Sequence, residues 1–493
     1  MSDYSVPKII RDKRPPGTTV KRQKNRYYVY EYSSTSKKVE NGDGTFRWKS
    51  TTKMGRCIGR ITEEDGFIPN DDSLRTSDVT VLEFGGYFLL NSCSGLTFDL
   101  LKKAFNADDA RHIYAVAAIF VVEGFTYMDD LGMRYQESVL RYYCPSLKMG
   151  RDAIRTLYRN LGRKGGLADR FEQHLIDCSS GTVAIDGHVI ACAAVGSDLS
   201  AYGYKSKKIG REQVNWLAAY DVGTGKPLAS QMFNGAEPDK ISVQTMFSRF
   251  QFKNTLFLVD RGFNTEPVKE LMTENGCSYI TPMVAGRKDY EWVYAKIRFD
   301  KRRSFVYDKH GYSSLVYYQD IQSEDGKRYL AFCDTTRQAA ERAAYIKKIG
   351  DGMKGYSDKG LAESEKDFGL FLLETNDLIK KPQEVFSHYK SRWQIETFYD
   401  YIDNSIDFNA LCQKEYYSMQ GLGFIMQIAG MIFHDIKDNV EAHGLPYKNT
   451  MSLIKGLKLV RERNRWMVRN VNKERRSLCD KLGVPLPSSV DLD

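Results

Sequence analysis

Two apolar runs in this 493-residue chain end on an aspartate, Val183-Ala-Ile-Asp186-Gly-His188 and Leu256-Phe-Leu-Val-Asp260-Arg-Gly262. A carboxylate that closes a buried strand stands at the C-terminal end of a sheet, where open α/β sheets bind ligands. Singly, such an acid also serves as a helix cap or turn former. A third acid, Glu396, lies in His388-Tyr-Lys-Ser-Arg-Trp-Gln-Ile-Glu-Thr-Phe-Tyr399. At 3.6 residues per turn, Tyr389, Arg392, Glu396 and Tyr399 share one helix face, and Ile395, Phe398 and Ile402 form an apolar face that can dock on a sheet. An Arg-Glu pair alone is an ordinary surface feature; an aromatic, a guanidinium and a carboxylate in one stripe is less so. Two strand-end aspartates and a helical glutamate suit phosphoryl transfer with Mg²⁺, a hard ion that takes oxygen ligands and keeps several waters. Two such ions about 4 Å apart activate a nucleophile and stabilise the leaving oxygen. Arg392 and Tyr389 would grip a phosphate beside them.

The elements that must position these acids are readable in outline. Strand-like runs at Thr182 to Ile185, Val214 to Val222, Pro227 to Phe233, Thr255 to Val259 and Cys277 to Met283 alternate with helical patterns at Ser242 to Phe250 and Glu266 to Asn275, which predicts an α/β domain. From about Arg287 to Cys333 come short aromatic runs (YEWVYAKIRF, RSFVYD, SSLVYYQDI, KRYLAFC), read as a β insertion, then a charged Ala-rich helix from Thr336 to Ile349. Before Gly165-Gly166 the chain is helical from Leu96. Arg26 to Ser33 and Phe46 to Trp48 suggest a small β unit ending near Pro69. The predicted organisation is a basic arm and β unit over 1–70, a helical DNA-binding region over 71–166, a catalytic domain over 167–440 with its β insertion at about 285–365, and a basic helical tail over 441–493.

Lysine and arginine total 72 against 63 acids, a net charge of only +9. The excess is clustered at residues 8–26, 148–164 and 455–481, and the first cluster reads as a flexible basic arm. The longest apolar stretch, Leu422 to Ile436, is interrupted by Gln427, His434 and Asp435 and is shorter than a membrane span needs. The N-terminus has no apolar core of a secretory signal, so a cytoplasmic protein is expected. Nine scattered cysteines without a C-x-x-C pair, and seven dispersed histidines, offer neither a disulfide framework nor a transition-metal site.

From Thr182 to about Asp435 the chain resembles bacterial insertion-sequence transposases of the DDE class, in the subgroup with β strands inserted between the second Asp and the Glu. The resemblance rests on AIDGH, YGYKSKKIGREQVNWLAAYDVGTGKPL, FLVDRGF, the β-rich gap from Asp260 to Glu396, and YKSRWQIETFY. It implies a ribonuclease-H-like catalytic core with an inserted β subdomain, and it places the catalytic, metal-holding acids at Asp186, Asp260 and Glu396. The family's Y-x2-R-x3-E-x6-K signature falls on Tyr389, Arg392 and Glu396, but Asp403 stands at the final Lys position. Lys390, Lys414 or the C-terminal basic tract are the candidates to replace that cation. Such enzymes use an aromatic of the insertion to stack on a flipped base, which points to Trp292, flanked by Tyr290 and Tyr294; the alternative is a core aromatic. His188 either supports Asp186 or packs locally.

The resemblance implies a transposase that cuts at the ends of its element and joins them to target DNA. It would use two Mg²⁺ ions, with Mn²⁺ as a substitute, and act as a homodimer on paired terminal inverted repeats, with Tyr389, Lys390, Arg392 and Trp292 touching DNA. The protein would be associated with the nucleoid when bound. The alternatives are a nuclease without strand transfer and a non-catalytic DNA-binding derivative.

Overall fold

The structure, a computed structural model, describes residues 6–42, 44–70, 80–204, 206–309, 311–324, 326–408, 410–462 and 465–492. Of the segments named above, residues 1–5, 43, 71–79, 205, 310, 325, 409, 463, 464 and 493 lie outside them. The chain divides into two units, Met1–Val81 with Val460–Trp466, and Leu82–Leu459 with Met467–Asp493.

In the first unit an antiparallel sheet forms from β1 (Thr18–Gln23), β2 (Arg26–Glu40), β3 (Phe46–Thr62) and β4 (Gly66–Pro69) in sequence order. The expected flexible arm is instead partly folded: a helical turn at Lys8–Arg11 and strand β1 bury Val6, Ile10 and Val20 against Val29 and Ile61. Apolar residues between the cations account for this, because a purely solvated arm would have nothing to bury.

The second unit is built on a ten-stranded mixed sheet. Its first five strands are β5 (Thr182–Cys192), β6 (Gln213–Asp221), β7 (Lys226–Asn234), β8 (Leu256–Val259) and β9 (Ser278–Pro282), in the order β7-β6-β5-β8-β9. β5, β6 and β7 are antiparallel, whereas β8 runs parallel to β5 and β9 parallel to β8. This mixed α/β sheet is that of a ribonuclease-H-like core. The near-continuous apolar runs of β5 and β8 fit strands covered on both faces. Val183, Ile185, Phe257 and Val259 lie in one cluster with Val243, Met246, Val268 and Met272 from the helices α3 (Asp239–Arg249) and α4 (Glu266–Glu274).

The inserted β strands are β10 (Ser304–Lys309), β11 (Tyr312–Gln322) and β12 (Arg328–Asp334). They continue the same sheet through β13 (Leu370–Thr375), in the order β10-β11-β12-β13-β9. A second correction concerns YEWVYA, which is the helix α5 (Lys288–Ala295), not a strand. Tyr290, Val293 and Ile297 are spaced by three and four residues and all pack into one core cluster, a helical period that the aromatic alternation masks. The C-terminal tail is not helical throughout either: Tyr447–Ile454 and Lys473–Lys481 are helices, but Lys458–Glu462 and Arg465–Arg469 are strands that bury Leu459, Trp466 and Val468.

The cationic helix α2 (Arg151–Leu161) packs on α10 (Tyr416–Ala442) so closely that a Cβ on Gly421 would lie 1.9 Å from the Tyr158 carbonyl oxygen. Three of its arginines are ion-paired within the chain: Arg151 with Asp129 (3.4 Å), Arg155 with Asp152 (3.4 Å) and Arg159 with Glu415 (3.0 Å). The polar residues that interrupt the apolar run of α10 each find a partner in the core. Gln427 donates to the Leu228 carbonyl (2.9 Å), His434 meets the Tyr220 hydroxyl (2.6 Å) and Asp435 pairs with Lys226 (2.6 Å). Among the described residues no helix is long and apolar enough to cross a membrane.

Candidate active site

The sheet register brings the two aspartates together. Ile185 pairs with Val259 across the parallel strands β5 and β8, so Asp186 and Asp260 are the next positions on neighbouring chains, about 5 Å apart at the backbone. Asp186 is not at a strand end, as the sequence suggests. β5 continues through Gly187 and His188 to Cys192, paired with β6 throughout. What ends beside Asp186 is its other neighbour, β8, and the side chain gains its opening there.

The third acid arrives on a helix that is broken where a single helix was expected. α8 (Pro382–Ser391) and α9 (Trp393–Asn404) meet at Arg392, where two short i to i+3 bonds, Arg392 N to the Tyr389 carbonyl and Ile395 N to the Arg392 carbonyl, tighten the turn. Beyond the break, Ile395, Phe398 and Ile402 are fully buried, with Phe398 against the rings of Trp216 and Tyr220. Tyr399 does not face outward with Arg392 and Glu396. It is buried, and its hydroxyl donates to the Asp186 carbonyl oxygen (2.9 Å) and to that of Trp216 (3.3 Å), tying α9 to the strand that carries the first acid.

The Arg392 guanidinium stands at the centre of the three acids. Nη2 donates to Glu396 Oε1 at 2.6 Å, and Nη1 lies 3.6 Å from Asp186 Oδ2, inside ion-pair range but without a hydrogen bond. Burial works against this charge, but Tyr389, Asp260, Asp186 and Glu396 outweigh it and hold the guanidinium above its ordinary range. Burial likewise pushes the Asp186 carboxyl up to about 6, against the pull of Arg392 and the Gly187 N–H and with help from the nearby Asp260 and Glu396 charges. Among the described residues no three His, Cys, Asp or Glu side chains close on one point as a finished ligand set. The acids converge on a cation rather than on each other, and an all-oxygen set gathered around a half-buried positive charge fits a hard divalent ion.

A carboxylate must be deprotonated to hold a metal. With Asp186 at about 6, Mn²⁺ affinity measured by calorimetry is expected to be level above that pH and to fall about tenfold per unit below it. Asp186→Asn flattens the profile. A wild-type affinity level down to pH of about 4 would remove Asp186 from the ligand set.

Beside the acids lies a cleft of about 470 Å³, lined by Asp260, Arg261, Tyr290, Arg337, Tyr389, Lys390, Arg392 and Trp393 among others. Tyr389 and Lys390 thus both line the cleft. Lys390 is also engaged, 3.2 Å from Asp334 Oδ2 and over the Tyr312 ring at 4.9 Å. Lys414 is exposed. Trp292 does not line the cleft. It is exposed, edge-on to Tyr329 and with Lys296 Nζ 3.6 Å from its ring centre, while Tyr290, two residues earlier, takes the lining position. Arg261 and Arg337 are cleft cations that the sequence reading left out. Arg261 follows Asp260 within the quoted motif, but nothing local signals Arg337, which comes from the helix α7 (Thr335–Gly350).

Asp403, at the position of the expected lysine, is a partner of His188: Nε2 and Oδ1 are 3.0 Å apart, and the imidazole stacks on Tyr399 at 4.7 Å and 17°. His188 and Asp403 thus brace α9 against β5 on either side of Asp186 and Glu396. Asp403→Lys sets an ammonium against the imidazole and is expected to slow DNA cleavage about tenfold, the scale of lost support behind metal ligands. Asp403→Asn keeps an acceptor and should retain most of the rate. Faster cleavage by the lysine variant would mean that the position is only an empty slot for a DNA-contacting cation.

No curated protein sequence matches the chain. Among solved structures it is similar to the piggyBac transposase in its synaptic complex with hairpin DNA, at 13% identity over 75% of this chain and 77% of that one, with a TM-score of 0.39. At that distance the likeness does not bear on the assignment. The family model of the transposase DDE domain matches residues 178–416, the segment that holds β5, β8, the inserted strands and α9 and therefore all three acids. The chain therefore carries a transposase DDE domain, the domain of enzymes that cleave and transfer strands of DNA.

Proposed function

We propose that the enzyme cuts DNA at the ends of its own mobile element and joins the freed 3′ hydroxyls to target DNA, with Asp186, Asp260 and Glu396 as its catalytic acids. The observation that carries this reading is the convergence of the three carboxylates on Arg392, beside a cleft that four further side chains make cationic or hydrogen-bonding: Arg261, Arg337, Lys390 and Tyr389. Asp186, Asp260 and Glu396 would hold two Mg²⁺ ions, replaceable by Mn²⁺, which when bound activate water or the 3′ hydroxyl and offset charge on the leaving oxygen.

The chain's own residues supply the rest. Arg392, half-buried and held in a fixed fork by Glu396, presents planar donors that match a phosphate's two oxygens. Lys390 and Arg337 add point charge along the cleft wall. The Tyr389 hydroxyl, pushed up by burial, stays protonated and so serves as a donor to a phosphate oxygen. Tyr399 keeps the Asp186 backbone fixed relative to Glu396. Binding of terminal repeats by a homodimer, and Trp292 stacking on a base, belong to the same proposal; the Trp292 ring is exposed, with Lys296 over one of its faces.

Purified protein incubated with Mg²⁺ and the DNA flanking its gene is the test. Joined products support the proposal, cleavage without joining leaves a nuclease of the same fold, and neither product leaves a DNA-binding derivative.

A further inference from the structure

Beyond the folded half of the N-terminal unit, β2 and β3 run on as a two-stranded ribbon. β1 pairs with β2 only as far as Glu31, and β4 pairs with β3 only over Gly59 to Thr62. The outer part, from Tyr32 opposite Met54 to Glu40 opposite Phe46, has regular register and is exposed throughout. Directly paired residues share a face, so the register sorts every side chain. One face carries Tyr32 and Met54, Ser34 and Thr52, Ser36 and Ser50, Lys38 and Trp48, and Glu40 and Phe46. The other carries Ser33 and Lys53, Thr35 and Thr51, Lys37 and Lys49, and Val39 and Arg47. The Ser34 to Ser50 hydroxyl contact (2.8 Å) and Lys38 lying 4.6 Å over the Phe46 ring agree with this sorting.

The second face therefore holds four cations and no acid, and among the described residues none of the four is ion-paired. Lys37 sits directly opposite Lys49, an arrangement that destabilises a sheet in water. Blunting the ribbon's two free edges against other strands would need only a charge or two. It would not need every cation on one face with a like pair at its centre. A polyanion removes that cost. On one strand Arg47, Lys49 and Lys53 recur at multiples of about 7 Å, and the outer ribbon is roughly 27 Å long, about four-fifths of a turn of B-DNA, whose major groove admits a two-stranded ribbon.

We propose that this ribbon is a duplex-DNA-binding element that lays the face of Lys37, Arg47, Lys49 and Lys53 along the phosphate backbone. The proposal rests on the reading that DNA is the substrate, but not on catalysis. The test uses the full chain and a duplex of the DNA flanking its gene, with affinity measured against salt concentration. Removing both charges in a Lys37→Gln/Lys49→Gln variant lowers the slope of log K against log salt by about two, since each phosphate contact contributes about one. The thermal midpoint is unchanged or higher, because a like-charge pair is relieved. Lys38→Gln removes the same kind of charge from the other face and leaves the slope at the parent value.

An unchanged slope in the double variant overturns the proposal. So does an equal slope loss per charge in Lys38→Gln, which would show only bulk charge. Self-association of the double variant with unaltered DNA binding would assign the cations to edge protection and overturns it too. Parent protein that binds with the expected slope but never cleaves would sink the catalytic reading and leave the ribbon's role standing.

Discussion

Asp260→Ala is expected to lower DNA cleavage and joining by about a thousandfold or more, several kcal/mol of transition-state stabilisation, while the protein stays folded. Asp260 follows the last residue of β8, and its backbone carbonyl, not its side chain, anchors the short turn that comes next, accepting from Phe263 N at 3.0 Å. Loss of the carboxylate leaves that bond intact. It also leaves Arg392 with Asp186 and Glu396, so the guanidinium is not stranded without a counter-charge. The variant should melt within a few degrees of the parent, bind flanking DNA, and yield neither nicked nor joined product in Mg²⁺. The same result is expected for Asp186→Ala and Glu396→Ala, and the three losses should not add, because groups that act as one unit fail together. Product formation by Asp260→Ala at more than about a tenth of the parent rate would remove it from the metal-holding set and with it the proposed arrangement of acids.

Much of this site is legible in the sequence because burial makes its chemistry conspicuous. An acid closing an apolar run of three or four residues is costly unless it is used or paired, and Asp186 and Asp260 both stand out on that ground. The strands that carry them are legible for the same reason, as apolar runs too short for helices. Pairing partners are not. Nothing local in Thr182 to Cys192 says that one neighbour stops at Val259 while the other continues to Gln213, yet that difference opens Asp186 to the cleft. Likewise the strands of the insertion are visible, but their continuation of the sheet through β13 depends on contacts between segments some forty residues apart. The stripe from Tyr389 to Tyr399 was half right. Arg392 and Glu396 do pair, but the break at Arg392 rotates Tyr399 inward. Helical periodicity counts residues at a constant angle, and one tightened turn is enough to reassign everything beyond it.

A second consequence of the topology can be read as stability. Lys269→Ala is expected to cost about 3–5 kcal/mol, more than any surface change. Lys269, on α4, is 5% exposed and Glu374, on β13, is fully buried; Nζ is 2.7 Å from Oε1 and 3.0 Å from Oε2 of the glutamate and 2.6 Å from Glu266 Oε1. β13 is where the inserted strands join the five-stranded core, so this pair ties the junction to the helix that covers it. Without the ammonium, Glu374 keeps among the described residues only the Tyr279 hydroxyl at 3.1 Å, and a carboxylate in that position is left uncompensated. The penalty belongs to the unpaired acid rather than to the lost attraction, and a double change separates the two. Lys269→Met with Glu374→Leu removes both charges and fills similar volume, so it should recover most of the loss, as apolar replacements of buried pairs commonly do. Chemical denaturation of the parent, the single variant and the double variant gives the comparison. A double variant as unstable as Lys269→Ala would mean that the ammonium is required to hold α4 to the sheet, not merely to neutralise Glu374.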